Sequence, residues 1–130
     1  MNAEDIAQSY RDYIACLNHR DWDSLSNFVH EDVRHNGRLL RLSGYRNLLE
    51  TDVRDIPDLR FEIGTLVANT PQIAARLLFD CTPAGVFMGL PVNGRRVAFA
   101  EHAFYEYRDG KIWDVKSVID KAAIEAQLRG

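Results

Sequence analysis

Glu101 is the residue around which chemistry can be argued. It stands in a run of strand-forming residues, Arg95 to Tyr107, and shares its parity with Phe99, Ala103 and Tyr105. Side chains two apart on a strand point to the same face, so the acid points where the apolar residues point. A carboxylate in that setting must be paired, hydrated or protonated, because removal from water disfavours its charge and raises its pKa. That is the condition of a general acid or base. Ser117, in the following run from Lys111 to Ile119, adds a hydroxyl, although no His and Asp are spaced around it as a nucleophile relay would need. The plainer reading of Glu101 is neutralisation by Arg76 on the neighbouring predicted strand. Asp80 has the parity of Arg76 and is expected to be exposed, paired with it, or joined to Glu101 in one polar patch.

Other candidates are weaker singly. Tyr13 falls on the apolar stripe of the first predicted helix, and His35 has the parity of Val33 and could reach a pocket mouth. Phe87 lies in a loop, Thr82 to Pro91, placed either to cover a pocket mouth or to serve as a dimer contact or a simple connection. His19, His30 and His102 show no ligand spacing, and no metal site is expected.

These residues can cooperate only if the Asp109-Gly110 turn sets the register of its two strands. A two-residue turn would pair Glu101 with Val118 and set Phe99, Ala103 and Tyr105 on the face of Asp114 and Lys116. A three-residue loop with a bulge at Gly110 pairs Tyr107 with Lys111 and Glu101 with Ser117. The second register gathers Phe99, Ala103, Tyr105, Trp113, Val115 and Ile119 on one face and is the one adopted, with Tyr105 and Trp113 as pocket wall.

The remaining elements follow from period and punctuation. Ile6, Tyr10, Tyr13, Ile14 and Leu17 recur at helical spacing behind a capping Asn2; Trp22 to Val29 reads as a short second helix ended by His30-Glu31-Asp32. Val33 to Asn36 reads as a strand. Ser43 caps a third helix with Tyr45, Leu48, Leu49 and Val53 as its buried stripe. Strands follow around Leu59 to Ile63 and Ile73 to Cys81, and Asp120 caps a last helix. Helices, then four or five antiparallel strands, then a helix make an α+β protein with helices on one side of a curved sheet.

The 130 residues suit a single domain, residues 1–130, with one core. A net charge of −3 with mixed signs offers no basic stripe for nucleic acid. No apolar run is long enough to span a bilayer, and the acidic start lacks the pattern of a signal peptide, so the expected location is cytoplasmic, not membrane. Cys16 and Cys81 are read as reduced, buried thiols.

The stretch Gly85-Val-Phe-Met-Gly89-Leu-Pro91-Val-Asn-Gly94-Arg-Arg-Val97, with Arg108-Asp-Gly-Lys-Ile112 and Asp120, resembles the SnoaL-like polyketide cyclases or ester cyclases, of the superfamily of nuclear transport factor two. The resemblance implies a cone-shaped α+β barrel: a curved, mostly antiparallel mixed sheet wrapped by about three N-terminal helices, with a short C-terminal helix. It also implies a deep hydrophobic pocket for a small molecule, a homodimer through the outer face of the sheet, and no metal or organic cofactor. In the characterised cyclases a polyketide ester closes a ring by an intramolecular aldol reaction, with an aspartate on the last strand as acid/base and a histidine on the strand before it. Those positions fall here on Ser117 and Ala103, which cannot perform that role; Glu101, two residues before Ala103, could take it over. Tyr13-Ile14-Ala15 also resembles the segment holding the enolate-binding tyrosine of ketosteroid isomerases, whose catalytic aspartate would fall near Asn36 or Gly37. Two functions follow as expectations: a cofactor-free enzyme moving a proton next to a carbonyl, or a non-catalytic protein that binds a small apolar molecule.

Overall fold

The computed structural model describes residues 1–130 and has the element order α1 (Ala3–Asn18), a 3-10 helix (Trp22–Asn27), β1 (Val29–His35), β2 (Arg38–Leu39), α2 (Arg41–Asp55), β3 (Glu62–Asn69), β4 (Gln72–Cys81), β5 (Val86–Phe87), β6 (Leu90–Pro91), β7 (Val97–Arg108), β8 (Lys111–Ile119) and α3 (Lys121–Arg129). Six strands form one sheet in the order β2-β1-β8-β7-β4-β3, and β5 and β6 form a separate small hairpin. All neighbours in the large sheet are antiparallel except β1 and β8, which run parallel. The expected mixed α+β sheet is present, with three helical elements in the N-terminal part of the chain, β1 and β2 lying between the second and third, and one helix at the C-terminal end.

Helices α1 and α3 are started by side-chain caps. Asn2 and Asp5 form a reciprocal capping box, the Asp5 amide donating to Asn2 Oδ1 (2.9 Å) and the Asn2 amide to Asp5 Oδ2 (3.1 Å). The predicted stripe of α1 is buried in full, with Cys16 added to it. Asp120 caps α3 by accepting from the Ala123 amide, and Gln127 ties that helix to β7 through both the N–H and the C=O of Ala98.

Several boundaries differ from expectation. The strand expected around Leu59 to Ile63 runs from Glu62 to Asn69 as β3, and the loop expected from Thr82 to Pro91 carries the β5–β6 hairpin. The second helix is a 3-10 turn that stops at Asn27, and Val29 opens β1, so His30, Glu31 and Asp32 lie within a strand. Helix α2 begins at Arg41 without a side-chain cap, and Ser43 is in its first turn. The hairpin closes through a two-residue turn: Arg108 pairs with Lys111, and Asp109 and Gly110 both have positive φ (55° and 73°), the type I′ form. Two residues after Lys111, Trp113 is bulged out between the Tyr107–Ile112 and Glu106–Asp114 pairs.

The bulge restores the parity that a plain two-residue turn would have lost. Beyond it Tyr105 faces Val115, Ala103 faces Ser117 and Glu101 faces Ile119. The apolar side chains therefore share one face as expected, but Glu101 sits diagonally from Ser117 instead of opposite it. Trp113 leaves that face altogether and lies under the Arg108 guanidinium, 3.5 Å from the ring centroid. One cluster of 27 buried residues, from Ile6 to Ile124, fills the space between sheet and helices.

Candidate functional site

Within that core the inner face of the sheet and the helices leave two adjoining chambers. The first, of about 60 Å³, is lined from α1 by Tyr13, Ile14 and Leu17, from β1 by His35, from α2 by Tyr45, Leu48, Leu49 and Asp52, and from the sheet by Leu77, Glu101, Tyr105, Val115 and Ser117, with Phe61. The second, of about 70 Å³, is lined by Ile56, Leu59, Phe61, Phe79, Phe87, Phe99 and Ile119, again with Asp52 and Glu101. Asp52, Phe61 and Glu101 belong to both, so the two carboxyl groups stand at the waist between a tyrosine chamber and a phenylalanine chamber.

The tyrosine chamber is held by paired hydroxyls. Tyr13 and Tyr45 are 2.7 Å apart at their oxygens, and the Tyr10 hydroxyl donates to that of Tyr105 at 3.1 Å. Burial raises the pKa of all four phenols, so they are neutral hydrogen-bonding groups, never phenolates, near neutral pH. Ser117 Oγ lies 3.5 Å from His35 Nε2. Its backbone is pinned by Asn36, which receives the Ser117 N–H on Oδ1 (2.9 Å) and donates from Nδ2 to the Ser117 carbonyl (3.3 Å). Burial, then the charge of Arg38, lowers the His35 pKa, which keeps the imidazole neutral.

The phenylalanine chamber is a chain of rings. Phe61 meets Phe79 edge-on (5.4 Å between centroids), Phe79 stacks on Phe99 (5.2 Å) and Phe87 tilts against Phe99 (5.6 Å). Phe87 is delivered by the β5–β6 hairpin, whose turn residues Met88 and Gly89 have positive φ and whose base is anchored by the fully buried Val92.

Neither carboxyl at the waist takes part in a salt bridge. Burial pushes Asp52 up to about 6, helped by the nearby charge of Asp55. Burial also raises Glu101; the Ser117 hydroxyl partly offsets this and the charge of Asp52 adds to it. The expected partner of Glu101 is absent because β4 and β7 pair Leu77 with Glu101 and Arg76 with His102, which puts Arg76 on the opposite face. There Arg76 Nε donates to His102 Nε2 at 3.2 Å, and Asp80 receives both Nε and Nη2 of Arg96 (2.7 and 2.9 Å).

Of the residues singled out in the sequence, Glu101, Tyr13, His35, Tyr105 and Ser117 converge on the first chamber, and Phe87 joins Glu101 at the second. Arg76 and Asp80 are on the outer face of the sheet and Trp113 is in the bulge; none of the three lines a chamber. Sequence reasoning missed Asp52 and Tyr45 as site residues. Their signal was present, since positions 45, 48, 49 and 52 fall on one helical face and the last of them is an acid.

A six-stranded mixed sheet closed by helices over an internal pocket defines the cone-shaped α+β class. The family model of the SnoaL-like polyketide cyclases matches residues 7–128, and the chain belongs to that family. The crystal structure of a SnoaL-like polyketide cyclase from Agrobacterium tumefaciens is similar at a TM-score of 0.94 and 54% identity, over 95% of this chain and 97% of that one. TsrD from Streptomyces laurentii (TM-score 0.85, 22% identity, 98% and 97% covered) and IdmH from Streptomyces antibioticus (0.81, 19%, 96% and 99%) share the fold. A comparison with curated proteins gave no match. No helix is long and apolar enough to cross a membrane.

Proposed function

We propose that the protein binds a compact, apolar carbonyl compound across the two chambers and moves a proton at the carbon next to the carbonyl, with Glu101 as acid/base. The observation that carries this reading is the position of Glu101 at the waist, turned inward, largely buried and without a cation. A carboxyl so placed has its pKa moved towards neutrality, where proton exchange with a weak carbon acid is most effective. Tyr13, Tyr45, Tyr105, His35 and Ser117 supply neutral polar contacts for the oxygen-bearing end of the ligand, and Phe79, Phe87 and Phe99 the surface for its apolar body. The two free, buried cysteines suit a reducing, cytoplasmic setting.

A second reading, a non-catalytic binding protein, is favoured by one pair of residues. Ala103 and Ser117 face each other across β7 and β8, and they are the positions at which the resemblance places the cyclase histidine and aspartate. Deuterium exchange separates the two readings. With 2-tetralone as a probe in heavy water, followed by proton NMR, the wild-type protein should accelerate loss of the α-CH signals over buffer. Glu101→Gln should lower that acceleration at least about 100-fold. Bound ketone with exchange at the buffer rate would establish the binding protein instead.

The family resemblance further leads us to propose a homodimer through the outer face of the sheet. Val67 and Phe104 flank Ala74 in one row across β3, β4 and β7, and Val118 lies beside His102; Val67, Phe104 and Val118 are more than half exposed. An apolar row on an open sheet face suits burial against a second copy.

A further inference from the structure

Asp52 has no place in the single-carboxyl reading, yet it lines both chambers together with Glu101, from the opposite side of the cavity: Asp52 comes from α2 and Glu101 from β7. The remaining ionisable groups around them are Tyr13 from α1, His35 from β1, Tyr45 and Asp55 from α2, and Tyr105 from β7; none brings a lysine or arginine to the waist. Two like charges in one apolar site disfavour each other, so such a pair holds one proton between them over a range of pH and offers one base and one acid at the same moment.

Resting on the acid/base reading of Glu101, we propose that Asp52 is the second catalytic carboxyl. One member of the pair removes a proton from the carbon beside the carbonyl of a compact apolar ketone while the other delivers a proton to the carbonyl oxygen. The C–H bond breaks and its electron pair becomes the C=C bond of the enol. The C=O π pair takes the second proton as O–H. The base has gained a proton and the acid has lost one, so the pair ends with the single proton it began with, and the reaction needs no oxidant, reductant or metal. The ring chain Phe61, Phe79, Phe99 and Phe87 takes the apolar body, which places the carbonyl at the waist, on the side open to the hydroxyls of the tyrosine chamber.

The test measures α-deuteration of 2-tetralone by the full-length protein and the ¹³C NMR titration of Glu101 in the same samples. Asp52→Asn should slow exchange about 100-fold, turn a bell-shaped pH profile into a single limb, and move the Glu101 midpoint downward because a like charge has been removed. Asp52→Ser should give the same losses, and the double variant with Glu101→Gln should be no slower than Glu101→Gln alone, as expected of residues acting as a unit. Exchange at the wild-type rate in Asp52→Asn, with Glu101→Gln impaired, overturns the pair and leaves Glu101 as a lone acid/base. Wild-type rates in both variants, or no acceleration by the wild type, overturn both. An unmoved Glu101 midpoint in Asp52→Asn also overturns the pair.

Discussion

At the scale of residues, the site consists of groups whose neighbours change their protonation. Asp52 carries a measurable cost for this. Its folded pKa is raised to about 6 whereas the unfolded chain ionises it near 4, so between those values the folded state holds a proton that the unfolded state has released. The stability associated with that proton is fully present below about pH 4 and is lost as pH rises through about 6. Asp52→Asn cannot ionise and should therefore be more stable than the wild type at pH 7 to 8, by about 2 to 3 kcal/mol for a shift of this size, with the gain vanishing near pH 4. Urea melts across that range check it; a gain that is constant with pH would show that the shift is not present. Glu101 was legible in the sequence because strand parity alone aims it inward. Asp52 was harder, because an acid at the edge of an apolar helical stripe reads as the solvent boundary of the helix. Only the placement of α2 across the chambers from β7, a long-range fact, makes it part of an interior.

At the scale of elements, the hairpin shows which part of a register local sequence can specify. A bulge inside the turn and a tight turn followed by a bulge each add one residue, so both give the same inward face. The Asp109-Gly110 pair suits either form. The face was therefore readable, while the partner of Glu101 and the fate of Trp113 were not. The type I′ turn rests on Gly110 at φ 73°, a left-handed conformation that a side chain disfavours. A Cβ there would meet only the Met1 sulfur, at 3.6 Å, an ordinary contact. Gly110→Ala should thus cost about 1 kcal/mol from the backbone alone and leave ligand affinity unchanged, as paired melting and binding measurements would show. The parallel pairing of β1 with β8 was equally out of local reach. It brings His35 and Asn36 to Ser117 across 82 and 81 residues of sequence, a closure that no turn motif announces.

At the scale of the molecule, the sheet separates two environments: an inner face that holds the chambers and an outer face that leaves Val67, Phe104 and Val118 open. Phe104→Lys should turn the proposed dimer into a monomer in sedimentation experiments without loss of ketone binding, because Phe104 points away from the chambers; a wild-type monomer would contradict the dimer. The chambers themselves, at about 60 and 70 Å³, are each smaller than the roughly 150 Å³ void known to admit benzene. Binding of a bicyclic ketone across the two chambers thus requires the lining side chains to give way. The central claim, that the waist carboxyls act on a bound carbonyl, is tested most directly by a crystal structure with 2-tetralone. The account predicts the aromatic ring among Phe79, Phe87 and Phe99 and the ketone oxygen within about 3.2 Å of a carboxyl oxygen of Asp52 or Glu101. A ketone bound in the chambers with its oxygen turned away from both carboxyls would contradict it.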